Sequence, residues 1–214
     1  DIQREDLIAE EDVVVTITHR GYVKRLPIDA YRRQGRGGKG VIAADLREDD
    51  FLEHLFIACT HEYLLFFTNK GRVYWKKVWE FPEMRRTAAG RALVNVLEMD
   101  KNEKITSMMP VREFSPDYYL LMATAKGTVK KTELDAFGKR LTGGIIAINL
   151  DDDDELVGVK MTDGDTEVML LTAEGKAIRF HEEDVRGMGR TAAGVKGINL
   201  REEDRVVSLA RVEP

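Results

Sequence analysis

The sequence predicts an all-β protein assembled from four copies of one four-stranded unit. Three observations lead there. First, a single pattern occurs four times: an apolar run, a Thr-x-x-Gly turn, and a second run carrying lysine or arginine. The turns are Thr18-His19-Arg20-Gly21, Thr68-Asn69-Lys70-Gly71, Thr124-Ala125-Lys126-Gly127 and Thr172-Ala173-Glu174-Gly175, and their glycines are 50, 56 and 48 residues apart. A repeat of this length marks arrays and propellers, in which each unit buries its faces against its neighbours. Second, the runs are short, apolar and β-branched, and no long amphipathic helix interrupts them. Third, acids and bases alternate in register with the repeat, so equivalent loops present the same charge to the same side.

The elements of one unit follow in order. The opening strands are 13–18, 63–68, 119–124 and 168–172. Each ends in a polar turn whose glycine permits positive φ. Second strands follow at 22–26, 72–76, 128–132 and 176–180; in the third, Val129 alternates with Thr128 and Lys130, which predicts one solvated face. Short helical turns are expected near 27–31 and 77–82. After a polar loop with arginine and glycine come third strands at 41–46, 92–97, 145–150 and 197–200, three of which carry an asparagine near the end, Asn95, Asn149 and Asn199. An acidic turn leads to fourth strands at 51–58, 105–111, 156–161 and 206–212. The resulting units are 6–59, 60–116, 117–164 and 165–214, within a single domain of residues 1–214. Radially repeated four-stranded sheets are the blades of propellers, so the prediction is a propeller-like disc of about four blades. The tryptophan-aspartate and glycine-histidine signatures of the commonest propeller repeat are absent.

With 214 residues, 43% of them hydrophobic, the chain can bury a sizeable core. No run approaches the roughly 20 apolar residues of a membrane span, so no membrane partner is expected, and no charged-apolar-small signal segment opens the sequence. The first residue is Asp1 rather than methionine, so a longer parent chain is expected. A single cysteine, Cys59, excludes an internal disulfide framework and suits a reducing cytoplasm. It lies in an apolar run, where a buried strand position is expected.

The net charge of −5 argues at first against a polyanionic partner, but the average conceals segregation. Acids collect at 48–50, 98–103, 151–155 and 202–204. Bases collect elsewhere: Lys24, Arg25, Arg32, Arg33, Arg36 and Lys39; then Lys70, Arg72, Lys76, Lys77, Arg85, Arg86 and Arg91. They continue with Lys126, Lys130, Lys131, Lys139 and Arg140, then Lys176, Arg179, Arg186, Arg190 and Lys196. Equivalent repeats would place acids on one rim and bases on another face, and it is this distribution that governs polyanion binding.

One loop stands apart: Gln34-Gly35-Arg36-Gly37-Gly38-Lys39-Gly40. Gly35, Gly37 and Gly40 formally satisfy G-x-G-x-x-G, but that fingerprint must open a helix, and the following Val41-Ile42-Ala43-Ala44 reads as a strand. Gly38-Lys39 resembles a phosphate-binding loop, yet Gly40 sits where a serine or threonine would hold magnesium. Both nucleotide readings fail. Instead, four glycines let the backbone lie close to a phosphate chain with its N–H groups exposed. Arg36 and Lys39 supply charge, arginine can grip phosphate bidentately, and Gln34 can donate to a phosphate or sugar oxygen. Nothing in the loop suits reading base edges.

No catalytic constellation is visible. His19, His54, His61 and His181 are scattered without metal-ligand spacing, and one cysteine cannot complete a zinc site. The run 151–154 lacks the order of a calcium loop and reads as a solvated turn. Trp75 and Trp79 read as packing residues. No catalytic residue and no metal site is expected.

The heptapeptide resembles the Gln-Arg-Arg-Gly-Gly-Lys-Gly signature of the C-terminal domain of bacterial DNA gyrase A. Further stretches are similar to the same family: Asp6-Leu7-Ile8, Asp12-Val13-Val14-Val15, Gly21-Tyr22-Val23-Lys24, Gly71-Arg72-Val73-Tyr74, Met122-Ala123-Thr124, Gly127-Thr128-Val129-Lys130-Lys131-Thr132 and Val168-Met169-Leu170. The resemblance covers essentially the whole chain, with one departure: Gly35 stands where the signature has its first arginine, which removes a cation from the loop. Residues 190–197 look like a decayed copy of the same loop.

The resemblance implies a β-pinwheel, a propeller-like disc whose blades exchange strands, usually with six blades where four are counted here. It implies sequence-nonspecific binding and wrapping of double-stranded DNA around a basic edge, in support of negative supercoiling. The implied contacts are Arg32, Arg33, Gln34, Gly35, Arg36, Gly37, Gly38, Lys39 and Gly40, joined by Lys24, Arg25, Arg72, Lys76, Lys77, Arg85, Arg86 and Arg91. Lys130, Lys131, Lys139, Arg140, Arg179, Arg190 and Lys196 complete the set. By the same resemblance the domain is a monomeric, non-catalytic part of an ATP-dependent type IIA topoisomerase in the bacterial cytoplasm, associated with the nucleoid. It would hold no cofactor of its own, ATP and magnesium binding elsewhere, and would work with the N-terminal region of gyrase A and with gyrase B. Two alternatives remain: the matching domain of topoisomerase IV, in which the heptapeptide is degenerate, and a propeller that binds proteins without DNA.

Overall fold

The Thr-x-x-Gly sequence turns the chain because glycine accepts the backbone angles that close it. In the computed structural model, which describes residues 3–29, 49–85, 88–138 and 144–214, each glycine N–H donates to the threonine carbonyl at 2.8–3.0 Å, with glycine φ between 76 and 89°. The threonine hydroxyl accepts from the N–H that follows the glycine in three turns, from Tyr22, Thr128 and Lys176 at 3.0–3.2 Å. A strand therefore leaves and returns after four residues.

Numbered in chain order, the described strands are β1 (Asp12–Thr18), β2 (Tyr22–Pro27), β3 (Leu52–Cys59), β4 (Tyr63–Thr68), β5 (Arg72–Lys77), β6 (Arg91–Ala92), β7 (Ile105–Val111) and β8 (Tyr119–Thr124). They continue with β9 (Thr128–Glu133), β10 (Ile145–Ile146), β11 (Leu156–Thr162), β12 (Glu167–Thr172), β13 (Ala177–His181), β14 (Val195–Lys196) and β15 (Val206–Val212). They form sheets ordered β3-β1-β2-β6, β10-β5-β4-β7, β11-β8-β9-β14 and β13-β12-β15. Neighbouring strands run antiparallel, with Val14, for example, opposite both Leu26 and Ile57. Each first strand sits between its hairpin partner and its return strand; the side chains of β1, β4 and β8 are buried on both faces, whereas β12 leaves Leu171 exposed.

The third strands differ from expectation. Only two residues pair in each of β6, β10 and β14, and they pair with the preceding repeat: Ala92 with Tyr22, Ile145 with Val73, and Val195 with Val129. The predicted strand 92–97 becomes a one-turn α-helix, Leu93–Leu97, closed by Glu98 in the left-handed region at φ 55°. Leu93 and Leu97 lie one helical turn apart, which places both on one face, and both are buried. The predicted helical turn near 77–82 is a 3-10 helix at Val78–Glu80; others lie at Arg4–Leu7, Leu134–Phe137 and Glu182–Asp184. Strand 41–46 and residues 30 and 31 of the 27–31 turn fall outside the described residues.

By their internal packing the residues form two compact units, one of 1–64, 75–101 and 110–112, the other of 65–74, 102–109 and 113–214. The second has a core of Leu121, Ala123, Val129, Val168, Leu170, Val185, Ile198, Val206 and Leu209, all at most 5% exposed. Fully burying one such Val or Leu contributes about 1.5–3 kcal/mol. The first buries Val13, Val15, Val23 and Leu26, and Cys59 is buried too. Among the described residues no helix is long and apolar enough to cross a membrane.

Candidate nucleic-acid interface

The acidic turns clasp the hairpins. Asp50 accepts from the Arg20 N–H at 3.0 Å, Asp154 from Lys126 at 3.0 Å, and Asp204 from Glu174 at 3.0 Å. Each carboxylate also accepts from the N–H of the residue after it, at 2.8–2.9 Å. In three of the four acidic runs one aspartate is thus fixed to the Thr-x-x-Gly turn of its own repeat. The second repeat reverses the bond: Asn69, inside the turn, accepts from Lys104 N–H at 2.9 Å. Burial raises the Asp50 carboxyl, but hydrogen bonds from the Thr18 hydroxyl and from the Arg20 and Phe51 N–H groups outweigh it and hold the group below the ordinary aspartate value. Asp204 is held low in the same way by Thr172, Glu174 and Arg205.

The clasps fix where the acids stand: at the start of β3, β11 and β15, each an outer strand of its sheet. Across those three sheets the opposite outer strands are β6, β14 and β13. The chain reaching β6 carries Arg85 and Arg91, and the chain reaching β14 carries Arg186, Arg190 and Lys196. In the sheets bounded by β3 and β6 and by β11 and β14, acid and base therefore occupy opposite edges.

The loop 188–194 is tied down residue by residue. Met188 N–H donates to Lys131 O at 2.7 Å, Ala192 N–H to Gly189 O at 3.1 Å, and Asn149 N–H to Ala192 O at 3.3 Å. The Asn149 side chain also donates to Thr191 O, and Arg190 Nη1 donates to Ile146 O at 2.8 Å. Asn149 is one of the three asparagines that recur in the sequence, and here it holds the basic loop of the next repeat.

The predicted contacts fall into three groups. Arg85, Arg91, Arg179 and Lys196 are exposed and Arg190 is half-buried; the Arg179 guanidinium pairs with Glu167. Arg72 and Lys76 are half-buried, with the Arg72 guanidinium 6.0 Å from the Tyr74 ring. Five others turn inward. Lys24 is 1% exposed, and its Nζ donates to Ala88 O at 2.7 Å and Arg85 O at 3.4 Å. Arg25 donates to Phe81 O at 2.8 Å and faces Glu83 at 3.5 Å. Lys77 meets Glu5 at 2.9 Å and His61 O at 2.9 Å, over the Tyr63 ring.

The remaining two are Lys130 and Lys131. The first is 0% exposed and donates to Ala147 O at 2.6 Å and to Arg190 O. The second donates to Glu182 O at 3.0 Å, beside the Glu182 carboxylate at 3.8 Å. The expectation of a solvated face on 128–132 is therefore corrected: Val129 to Thr132 are all buried, because loop carbonyls and the buried Glu182 carboxylate take the place of water around the two ammonium groups.

Arg32, Arg33, Gln34, Gly35, Arg36, Gly37, Gly38, Lys39, Gly40, Arg86, Lys139 and Arg140 lie outside the described residues. Sequence reasoning missed the clasping aspartates. Their signal was present as a spacing of 30, 28 and 30 residues between the turn and an aspartate of the acidic run, at positions 20 and 50, 126 and 154, and 174 and 204.

The family described as DNA gyrase C-terminal domain, beta-propeller, matches residues 12–59, 62–112, 118–163 and 166–213. The DNA gyrase A protein of Salmonella typhimurium is 54% identical over 209 residues, and that of Escherichia coli K12 is 52% identical over 209 residues; each alignment covers 98% of this chain and 24% of the relative. The chain thus spans about a quarter of the length of these relatives. Among solved structures, the C-terminal domain of DNA topoisomerase IV is similar with TM-score 0.84 and 37% identity, covering 97% of this chain and 63% of that one. A DNA gyrase A C-terminal domain follows with TM-score 0.70 and 30% identity, covering 95% and 66%.

Proposed function

We propose that this chain, which belongs to the DNA gyrase C-terminal domain family of beta-propellers, binds double-stranded DNA along its basic edges and bends it into a wrap. The observation that carries this reading is the division of charge within a sheet. Exposed bases flank β6 and β14, and clasped acids stand at the opposite edge. A chain of net charge −5 can hold a polyanion only if its acids are kept away from the contact.

The contacts are to phosphate, so binding is indifferent to sequence and strongly dependent on salt. Each neutralised phosphate adds about −0.9 to the slope of log K against log salt. Bending 20–30 bp by 40–90° costs on the order of 1–6 kcal/mol, more than one loop can offset, so equivalent loops on successive sheets act together. Within the parent enzyme the wrap would present a DNA segment for passage and support ATP-dependent negative supercoiling. The N-terminal region of gyrase A, together with gyrase B, would supply the chemistry, and this domain none of it.

The test is topological. Nicked circular DNA is incubated with increasing amounts of the chain, religated, and its linking number read. A positive shift, abolished in Arg36→Ala/Lys39→Ala, is the expected result. Binding with no shift would overturn wrapping by this chain and favour the second reading, a DNA-holding domain of the topoisomerase IV kind, to which the similarity at TM-score 0.84 lends support.

A further inference from the structure

We infer that Lys24 and Lys130 are positioning residues, whose buried ammonium groups grip the backbone of the basic loop beside their own sheet and so fix where its cations stand. The effect on DNA rests on the reading above; the grip on the loop does not.

The two lysines occupy the same place in their repeats, the third residue of the second strand: Tyr22-Val23-Lys24 and Thr128-Val129-Lys130. Neither reaches solvent, at 1% and 0% exposure. Both point at carbonyls of the loop that leads to the outer strand. Lys24 takes Arg85 and Ala88, and Lys130 takes Arg190 and, at 2.6 Å, Ala147 of its own repeat. The held residues are cations or their close neighbours. Arg85 is exposed, and Arg190 extends its own guanidinium along Ile146 O at 2.8 Å.

The fold does not need a lysine there. The equivalent residues in the other repeats are Tyr74, whose hydroxyl donates to Glu103 at 2.6 Å, and Ile178, which packs against the apolar core. Burying an ammonium is unfavourable unless it is well paired. Desolvation, with a smaller contribution from the Arg190 charge, pushes Lys130 down to about 8. A charge kept against its solvation must do something that an apolar residue cannot. What it touches says what that is. The outer strand has only two paired residues, Val195 opposite Val129 and Lys196 opposite Thr128, so its ladder alone holds the loop weakly. The ammonium supplies donors to carbonyls on the loop side of that short ladder.

The experiment compares Lys130→Met with Arg190→Ala/Lys196→Ala in the 214-residue chain. It reads amide hydrogen exchange over 188–194, and affinity for linear duplex DNA across a salt series. Lys130→Met keeps the buried stem and removes the charge. The expected result is at least tenfold faster exchange across 188–194 with β8 and β12 unchanged, a several-fold weaker Kd, and a salt slope smaller by about 1.

Unchanged exchange in the loop overturns the inference whatever the DNA result. Faster exchange with unchanged affinity, while Arg190→Ala/Lys196→Ala weakens binding, overturns the claim that placement matters and leaves the DNA reading standing. If Arg190→Ala/Lys196→Ala itself binds normally, the DNA reading fails at this loop, and the grip stands or falls on exchange alone. Lys24→Met, read over 84–91, repeats the test in the other compact unit, so a failure to fold in one variant does not remove it.

Discussion

Gly194 ends the loop that Lys130 holds, and three glycines close in sequence can separate what holds that loop in place. At Gly194 φ is +95°, and an added Cβ would lie 2.5 Å from Val129 O and 2.9 Å from Thr128 Cγ2. Alanine in that conformation costs about 1–2 kcal/mol. Relieving the contact with a backbone oxygen also requires β14 to move off β9. That weakens the pairs Val195–Val129 and Lys196–Thr128, whose hydrogen bonds contribute about 0.5–1.5 kcal/mol each. Gly194→Ala should therefore lose roughly 2–4 kcal/mol. Gly175 provides the control for backbone angle alone: its φ is +87°, with nothing within 4 Å of the added atom, so Gly175→Ala should lose about 1–2 kcal/mol. Gly187 has neither burden, and Gly187→Ala should change stability by less than about 0.5 kcal/mol. Urea unfolding of the three variants measures the ladder. If Gly194→Ala and Gly175→Ala lose the same amount, the close approach of loop to strand contributes nothing and the account of how β14 is seated is wrong.

Asp154→Ala removes acceptors from the Lys126 and Glu155 N–H groups and should lower stability by about 1–3 kcal/mol, while Asp154→Asn keeps an acceptor and should retain most of it; thermal melting distinguishes the two. Asp50 and Asp204 are both held below the ordinary 3.8 when folded. Their contribution is therefore present above that value and lost as the pH falls through the lower folded one. Asp50→Asn/Asp204→Asn should flatten the fall in melting temperature below about pH 4. Lys130 has the opposite course. Its folded value is lowered from 10.5 to about 8, so between those limits the unfolded chain binds more protons and stability rises with pH, by on the order of 3 kcal/mol. Lys130→Met should abolish that rise in denaturation curves taken from about pH 7.5 to 10.5.

The hairpins were legible in the sequence because everything that makes them is local. In each repeat an apolar run, a threonine whose hydroxyl accepts from the returning chain, and a glycine with positive φ are all contained within about a dozen residues. The return strands were legible for the same reason, and β7 and β15 have the bounds that the apolar pattern predicts. The third strands were not, since the span 145–150 pairs only at Ile145 and Ile146, and near 197–200 the pairing falls just before the predicted span, at Val195 and Lys196, in both cases with partners in the preceding repeat. No local pattern specifies how many residues a neighbour will accept. At 92–97 the same apolar letters suit a helical turn as well as a strand, and burial of Leu93 and Leu97 settled the matter. The charged residues misled in a different way. Basicity is visible in a sequence and burial is not, so Lys24 and Lys130 read like Arg91 and Lys196 until their carbonyl partners are seen.

That distinction changes how a basic repeat should be counted. Charge per repeat overstates phosphate contacts when part of it lies inside, because a lysine at 0–1% exposure, turned onto loop carbonyls, cannot reach a phosphate. The interior cations are not idle, however. An edge strand with two ladder pairs cannot hold a long glycine-rich loop by itself, and an exposed loop ordered only by its own side chains would lose that order's entropy again on each encounter with DNA. Anchoring the loop from beneath, with a charge that the solvent cannot compete for, means the loop need not be ordered at the moment of binding. Affinity then depends on two sets of residues with different signatures. Substituting exposed Arg91 or Lys196 should lower the salt slope and leave loop exchange unchanged, whereas substituting Lys24 or Lys130 should alter both.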